Sequence, residues 1–575
     1  MRRSAALPDF HPAGPAPAIS TPTPSAARRP STRAVVATGC IGSATTLGAT
    51  AATALPLFAR VTLGLVGMML VVVAWLLLGS KHRQLTVVSL HRIAVVWALP
   101  FLVAAPLFSG DVWSYLAQGA IAASGQDPYT IGPLPGLGAT HPATQQVSHY
   151  WIETPAPYGP AWLALSWSVA TLTGEHLIAG VLLYRLIAIV GVILVAWALP
   201  HLARRVGADP STALWLGLLN PLVIWHFVAG VHNDALMMGL LLCGTELVLR
   251  GMERTGAAAL LQFGAGLTVL TVAANIKFVG FAAVGCLAVH LVRRRVGGIP
   301  TALVMALGSA AITLAISHGT GLGFGWIGAL GQSTAVHSWM APTNIAGFLA
   351  GGIGKLAGRD ITDVAIQVSV VIGAVLGVII VATLLKAISR GGVAPVRGLG
   401  LILAAVVTCG PVVHPWYLLW AVLPLAATAK SPRSRSILAA VSATTAMALP
   451  PVGTGALPLT VGYLGAAFSL GTTALLLHRR GLGLQPISPT PLLRRALFTT
   501  SSPGAPARGL LGTLASGTEG SDCPEVGIHT RGAGDGLPDS AATSVSSERR
   551  GTLASGPRLP FTPGKGPDQT RPAKT

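Results

Sequence analysis

From about residue 34 to residue 480 the chain alternates long apolar runs with short polar breaks, on a scale set by the roughly 20 apolar residues that one membrane-crossing helix needs. The runs lie at about 34–56, 61–80, 91–108, 178–200, 211–230, 234–250, 256–275, 278–292, 300–318, 364–386, 396–411, 417–429, 436–452 and 458–477. They predict an all-α polytopic membrane protein of about 13–14 transmembrane helices. Basic clusters follow many of the runs: Lys81, His82 and Arg83; Arg204 and Arg205; Arg250 and Arg254; Arg293 to Arg295; Lys386 and Arg390; Lys430, Arg433 and Arg435; Arg479 and Arg480. Lys and Arg gather on the cytoplasmic side of membrane proteins, so the clusters orient the crossings, and an even count leaves both termini cytoplasmic. Arg60, Lys355 and Arg359 fall in outer loops against that rule.

Residues 158–173 are apolar but too short for a full crossing, and making them one would turn Arg204 and Arg205 outward. They are expected to form a helix lying in or dipping into the outer interface, where Trp162 and Trp167 suit an aromatic belt. One long outer segment, 109–177, follows from this. The membrane domain, 34–480, is flanked by segments that cannot bury a core. Residues 1–33 are rich in Pro, Ala and Ser, carry several Arg, lack the apolar core of a cleavable signal, and read as a disordered cytoplasmic leader. Residues 481–575 form a low-complexity tail, in which Gly-Thr-Leu-Ala-Ser-Gly occurs at 512–517 and again at 551–556.

Composition sharpens this picture. Of 575 residues, 52% are hydrophobic and 10% charged, against about 25% charged in an ordinary soluble domain, which excludes a soluble enzyme and a disordered chain together. The net charge of +20 invites a nucleic-acid reading, but the basic residues sit between apolar runs without interleaved aromatics. Membrane lipids are the expected partner, and nucleic acid is not. The five cysteines, Cys40, Cys243, Cys286, Cys409 and Cys523, are scattered without a CxxC pair, so neither a disulfide framework nor a zinc site is readable.

Acidic residues are scarce in the membrane domain, and the topology puts most of them outside. Asp111, Asp127, Glu153 and Glu175 fall in the outer segment, Asp234 at the outer end of a helix, and Asp360 and Asp363 near another outer boundary. The same segment holds Tyr115, Tyr129, Tyr150, Tyr158, Trp113 and Trp151, surfaces that serve sugar binding and interfacial anchoring equally well. Asp111 follows directly on an apolar helix after Gly110. Partial desolvation there would raise its basicity and suit it to accept a hydroxyl proton; the competing reading is an N-cap bonded to the amides near Ser114. Asp127, in Gly-Gln-Asp-Pro-Tyr, reads equally as a turn.

His232, Asn233 and Asp234 follow the Asn220-Pro221 break and share the face of Asp111, although three polar residues could simply start a helix. Arg185 lies about two turns inside a helix, where an Arg calls for a carboxylate or phosphate partner. Lys277 interrupts an apolar stretch at an outer turn, with snorkelling to the headgroups as the alternative. His414, Trp416 and Tyr417 form a His-Pro-Trp-Tyr motif between two late helices, and His318 and His337 flank a Gly-rich outer loop holding Trp326. Glu246 and Arg250 are an i,i+4 pair at the inner end of a helix and read as a local ion pair.

These motifs together carry a resemblance. Gly110-Asp111-Val-Trp-Ser-Tyr, Asp127-Pro-Tyr, Pro157-Tyr-Gly-Pro-Ala-Trp162, Asn220-Pro221, His232-Asn-Asp-Ala-Leu-Met and His414-Pro-Trp-Tyr look like the actinobacterial polyprenol-phosphomannose-dependent α-1,6-mannosyltransferases of the GT-C class, over about residues 60 to 480. The resemblance implies a GT-C glycosyltransferase fold with a large catalytic first outer loop. It implies a polyprenyl phosphate mannose donor, an α-1,6-mannan acceptor of lipomannan and related lipoglycans, and transfer with inversion at the extracytoplasmic face of the plasma membrane. Asp111 matches the first-loop catalytic base, and His232, Asn233 and Asp234 the polar motif near the donor. Asp127, Tyr129, Tyr158, Arg185, Lys277, His337, His414, Trp416 and Tyr417 are the further candidate substrate-binding residues, with Arg185 and Lys277 suited to the leaving phosphate. Many relatives of the class carry Asp-x-Asp in the first loop and some bind a divalent metal there; here the third position is Trp113, which leaves the metal an open question.

Two other readings fit the same residues. The sugar could be glucose or arabinose, and a flippase or transporter for a lipid-linked glycan would also combine many helices with a few buried charges. Transporters, however, place polar residues near the bilayer midplane and often repeat their halves, whereas here the polar residues gather on one face without a visible repeat. The topology is checked by labelling: a cysteine replacing Thr140 is expected to react with an impermeant reagent from outside intact cells, and one replacing Arg433 is not. The reverse pattern would put the acids in the cytoplasm and end the outer-face reading.

Overall fold

The protein was described from a computed structural model, which covers residues 30–293, 298–329, 331, 338–452 and 456–479; most of the leader, the tail and His337 lie outside the described residues. In chain order the helices are α1 (Thr32–Ala51), α2 (Leu57–Leu78), α3 (Val87–Ala98), α4 (Asp111–Ala123), α5 (Pro133–Leu137), α6 (Pro142–Gln146), α7 (Pro160–Thr173), α8 (Leu177–Arg205), α9 (Pro210–Leu216) and α10 (Asp234–Glu253). They continue as α11 (Gly256–Ile276), α12 (Phe281–Val292), α13 (Gly298–Gly319), α14 (Gly325–Ala329), α15 (Pro342–Leu356), α16 (Thr362–Ser389), α17 (Pro395–Cys409), α18 (Leu418–Ala426), α19 (Pro432–Ala446) and α20 (Ala456–Arg479). No strand occurs among the described residues. In an apolar medium each backbone amide must be satisfied within its own segment, which favours helix throughout. Local signals set the ends: Ser31, Thr86, Asp209 and Ser431 cap their helices with side-chain oxygens, and proline occupies the first turn of α7, α15, α17 and α19.

Among the described residues seven helices are long and apolar enough to cross a membrane, namely α1, α2, α8, α10, α11, α13 and α16, and Val87–Leu102, Phe278–Val292, Pro395–Cys409 and Pro415–Ala426 are shorter apolar segments. The expected run 211–230 is not one helix. Helix α9 ends at Leu216, Asn220 turns its amide onto Leu216 O and Ser442 Oγ while accepting from Leu222 N, and Pro221 offers no amide hydrogen. The chain then resumes as a π-helix, Val223–Ala229. The outer loop expected to hold Lys355 and Arg359 contains a helix, α15. Gly347, Gly351 and Gly354 do not break that helix; they let it approach α16, where added methyl groups would meet Ile366, Thr362 and Ile361. The helix expected near 158–173 is present as α7, packed on α4.

Helix α10 positions the candidate site. It is the most buried of the seven long helices, and glycines bring its neighbours onto its backbone. On one side Gly239 meets Gly191 of α8; on the other Gly244 and Gly251 admit Leu270 and Phe263 of α11. At its far end the predicted Glu246–Arg250 pair is part of a larger bridge: Arg250 Nε donates to Glu246 Oε1 at 2.6 Å, and Arg205 of α8 donates to Glu246 at 2.9 and 3.0 Å and to Glu253. A methyl group on Gly191 would run into the Ala235 carbonyl, one residue from Asp234. Gly191→Ala is therefore expected to destabilise the protein by about 1–3 kcal/mol, as overpacking does. Gly285→Ala, with open space around it, should leave thermal unfolding in detergent unchanged.

Candidate active site

Two short segments meet where α4 and α10 begin, and both are strained. Phe108, three residues before Asp111, has φ +67°, and Val231, next to His232, has φ +57°; a β-branched residue in that region carries a real conformational cost. The segments hold each other, Leu107 N donating to Ala229 O at 3.1 Å, just after the π-helix. This geometry brings Asp111 and His232 together.

Asp111 opens α4, yet its carboxylate does not cap the helix: Gly110 holds the N-cap position without a side-chain bond. Instead Oδ1 accepts from Ser109 Oγ at 2.9 Å, and Oδ2 lies 3.2 Å from Nδ1 of the fully buried His232. The expectation of raised basicity is corrected here. Burial does disfavour the charge, but the contacts with His232, His414 and Ser109 outweigh it and hold the carboxyl well below the usual range. Asp111 is thus ionised and oriented. His232 stacks on Trp416 with ring centres 3.9 Å apart, and His414 stacks on the same indole at 4.5 Å. Burial pushes His414 down to about 4, so it is neutral near pH 7.

Asp234 begins α10, where the helix dipole favours a carboxylate, and it is fully buried. Lys277 Nζ donates to both of its oxygens at 3.0 and 3.1 Å, and Trp420 Nε1 donates at 2.6 Å. Lys277 does not snorkel away. Its ammonium sits 4.6 Å from the Tyr417 ring centre, 5.2 Å from that of Trp420 and 5.9 Å from that of Tyr158, a cage of aromatic faces. Burial alone would lower its pKa, but Asp234 keeps it above the ordinary value. Asn233, also buried, bonds through its backbone amide to Tyr115 Oη at 3.4 Å.

A cavity of about 300 Å³ opens between these groups. Asp111, Tyr158, Lys277, His414 and Tyr417 line it directly, while His232, Asn233, Asp234 and Trp416 stand behind that lining. Gln118, Trp151 and Thr154 form one wall; Phe278, Val279, Val406 and Val407 form an apolar one. Three sequence candidates lie elsewhere. Asp127 accepts from Tyr129 N at 2.9 Å, an Asx turn, and Tyr129 packs in a separate cluster with Ala156, Leu163 and Ala329. Arg185 is 2% exposed and spends its guanidinium on backbone carbonyls, Val228 O at 3.3 Å and Leu102 O at 3.1 Å, so it does not reach the cavity. His337 lies outside the described residues. Sequence reading missed Ser109 and Trp420, and named Tyr115 only among the aromatics of the outer segment. A Trp inside an apolar run reads as lipid-facing, although a buried indole N–H needs a partner.

Among the described residues no group of three His, Cys, Asp or Glu side chains converges so as to hold a metal ion, and the oxygens of Asp111 are engaged by Ser109 and His232. The described residues do not fit a bound metal.

Known proteins resemble this chain over the same span. Residues 28–293 match the model described as alpha-(1->6)-mannopyranosyltransferase, N-terminal domain, and residues 342–478 the MptB C-terminal domain. A probable alpha-(1->6)-mannopyranosyltransferase of Mycolicibacterium smegmatis is 39% identical over 409 residues, covering 66% of this chain and 73% of that one. An alpha-(1->6)-mannopyranosyltransferase of Mycobacterium tuberculosis is 38% identical over 432 residues, covering 67% and 73%. The crystal structure of apo ArnT from Cupriavidus metallidurans aligns with TM-score 0.36 and 18% identity over 69% of this chain and 72% of that chain. Helical architecture and sequence relatives define a membrane-embedded glycosyltransferase. Within that class, the chain belongs to the alpha-(1->6)-mannopyranosyltransferase family.

The half-buried, neutral His414 gives the fold a pH dependence. Its folded pKa, about 4, lies below the roughly 6.5 of a free imidazole, so between these values the unfolded chain binds more protons and stability falls as the pH falls. In His414→Phe, which keeps an aromatic face for Trp416, the drop in Tm between pH 7 and pH 4.5 is expected to be smaller than in the parent. An equal drop would show that His414 does not contribute.

Proposed function

We propose that this mannosyltransferase moves mannose from polyprenyl phosphate mannose to the 6-hydroxyl of an α-1,6-mannan chain of the lipomannan type, with inversion, at the outer face of the plasma membrane. One observation carries the proposal: an oriented carboxylate, Asp111, and a caged ammonium, Lys277, line a single cavity that also has an apolar wall. The names of the relatives support mannose and the linkage, and the basic clusters support the outer face.

In the proposed reaction the acceptor oxygen attacks the anomeric carbon from the face opposite the phosphate. The new C–O bond forms as the bond between that carbon and the phosphate oxygen breaks; the hydroxyl proton passes to Asp111, and the electron pair leaves with the phosphate. Lys277 faces the charge that develops there. A carboxylate held ionised is a weak base, but in an oxocarbenium-like transition state the hydroxyl becomes acidic as its oxygen bonds to carbon, so a weak, well-placed base suffices. The prenyl chain would run along Phe278, Val279, Val406 and Val407, with the acceptor against Gln118, Trp151 and Thr154. Arg185 has no part in holding the phosphate.

The test uses purified protein with polyprenyl phosphate mannose and a short α-1,6-mannoside, the product linkage being read by NMR. Asp111→Asn keeps the shape and can still accept from Ser109, so donor binding and monodispersity should persist while turnover falls roughly 100- to 10,000-fold. Turnover within about threefold of the parent, far less than loss of a general base causes, would remove Asp111 from the mechanism. Transfer from the glucosyl donor in preference to the mannosyl one would overturn the sugar assignment.

A further inference from the structure

A second cavity, of about 640 Å³, lies at the opposite end of α17 from the candidate active site. Pro395, Val396 and Arg397 in the first turn of α17 line it, whereas Val406 and Val407 near the last turn line the active cavity. The fifteen residues of the helix set the two about 22 Å apart. Its other walls are the far ends of α8 and α10, with Arg205 and Glu253, and the turn from Thr428 to Ser434 that leads into α19.

The charges in this cavity do not balance. Arg205 is already bridged to Glu246 and Glu253, which cancels both the cation and the one carboxylate in the wall. Arg397 and Lys430 remain; both are exposed, and neither forms an ion pair among the described residues. The helices α17 and α19 also both begin here with proline in the first turn, adding the positive ends of two helix dipoles. Beside these cationic groups the wall is apolar, with Val393, Val396, Leu401, Leu425 and Ile437. A soluble anion would use only the first set of features. A phosphate carrying acyl chains uses both.

We infer that this cavity binds the phosphate headgroup of an anionic phospholipid, with Arg397 and Lys430 contacting the phosphate and an acyl chain lying along Val393, Leu401 and Ile437. The site is separate from the mannosyl-transfer cavity and rests on none of its residues. Basic pockets between membrane helices recognise such headgroups by charge, at about 1 kcal/mol per Lys or Arg near the surface.

The full-length protein in phosphatidylcholine nanodiscs is titrated with phosphatidylglycerol, and retained lipid and Tm are read by native mass spectrometry and thermal unfolding. The parent should gain Tm and retain the lipid. The double variant Arg397→Gln with Lys430→Gln should bind it roughly 30-fold more weakly, and each single variant about fivefold, which are about 2 and 1 kcal/mol converted at 1.4 kcal/mol per decade. Arg254→Gln, outside this cavity but among the neighbouring arginines, should behave as the parent does. Undiminished retention in the double variant would overturn the proposal; if that variant does not fold, undiminished retention in both single variants would do the same. An equal Tm gain from millimolar inorganic phosphate alone, lost in the same variants, would make this a soluble-phosphate site and overturn the lipid assignment.

Discussion

The carboxylate of Asp234 is fully buried, and the site end of the molecule is arranged around the need to satisfy it. An ionised group in a low-dielectric interior costs several kcal/mol unless partners surround it. Here the carboxylate and its two partners join three places in the chain: Asp234 at the start of α10, Lys277 in the turn after α11, and Trp420 of α18. Removing any one leaves a buried group unpaired, so the three elements keep their positions together. The pair also stations a cation in the cavity wall where burial alone would disfavour the charge. A structural ion pair and a cation in the cavity wall are thus one device.

The second constraint is conformational. Val231 and Phe108 hold backbone angles that cost of order 1–3 kcal/mol each, and the π-helix between Val223 and Ala229 is uncommon in its own right. The surroundings supply that energy through packing: Trp225, Phe227 and Val228 are buried, and Leu107 is tied to Ala229 across the gap. In return His232 faces Asp111 rather than continuing into a helix that would have turned it elsewhere. The orientation of Asp111 therefore rests on a segment where regular structure was given up.

What was legible in the sequence depended on whether the signal was local. Apolar run length reveals a crossing helix, and Asn220-Pro221 reveals a break, because both act on their immediate neighbours. The approach of Asp111 to His232 joins residues 121 positions apart and leaves no local trace beyond the polarity of each motif. The role of glycine is non-local in the same way: Gly347 and Gly351 of α15 serve contact with α16, which only the packed structure shows. The acidity of Asp111 was misjudged for the same reason: desolvation could be anticipated from its position at a helix end, but the imidazole opposite it could not.

Arg185 and Lys277 show how far depth in the membrane can be read as function. Each is a charge where charge is costly, and each must find partners. For Arg185 they are the carbonyls of Leu102 and Val228, and both belong to segments that leave the α-helical pattern, the 3-10 turn Leu99–Leu102 and the π-helix. Carbonyls there are not fully committed to i,i+4 bonding, and a guanidinium with five donors in a fixed fork can serve two such breaks at once. Its Nε and Nη1 hold irregular backbone together, while Nη2 is buried without a hydrogen-bond partner. Lys277 meets a carboxylate on one side and aromatic faces on the other, and these partners line or adjoin a cavity. Depth alone identifies both as important. The identity of the partners, carbonyls in one case and a cavity wall in the other, is what separates a scaffold charge from one that can act on a substrate.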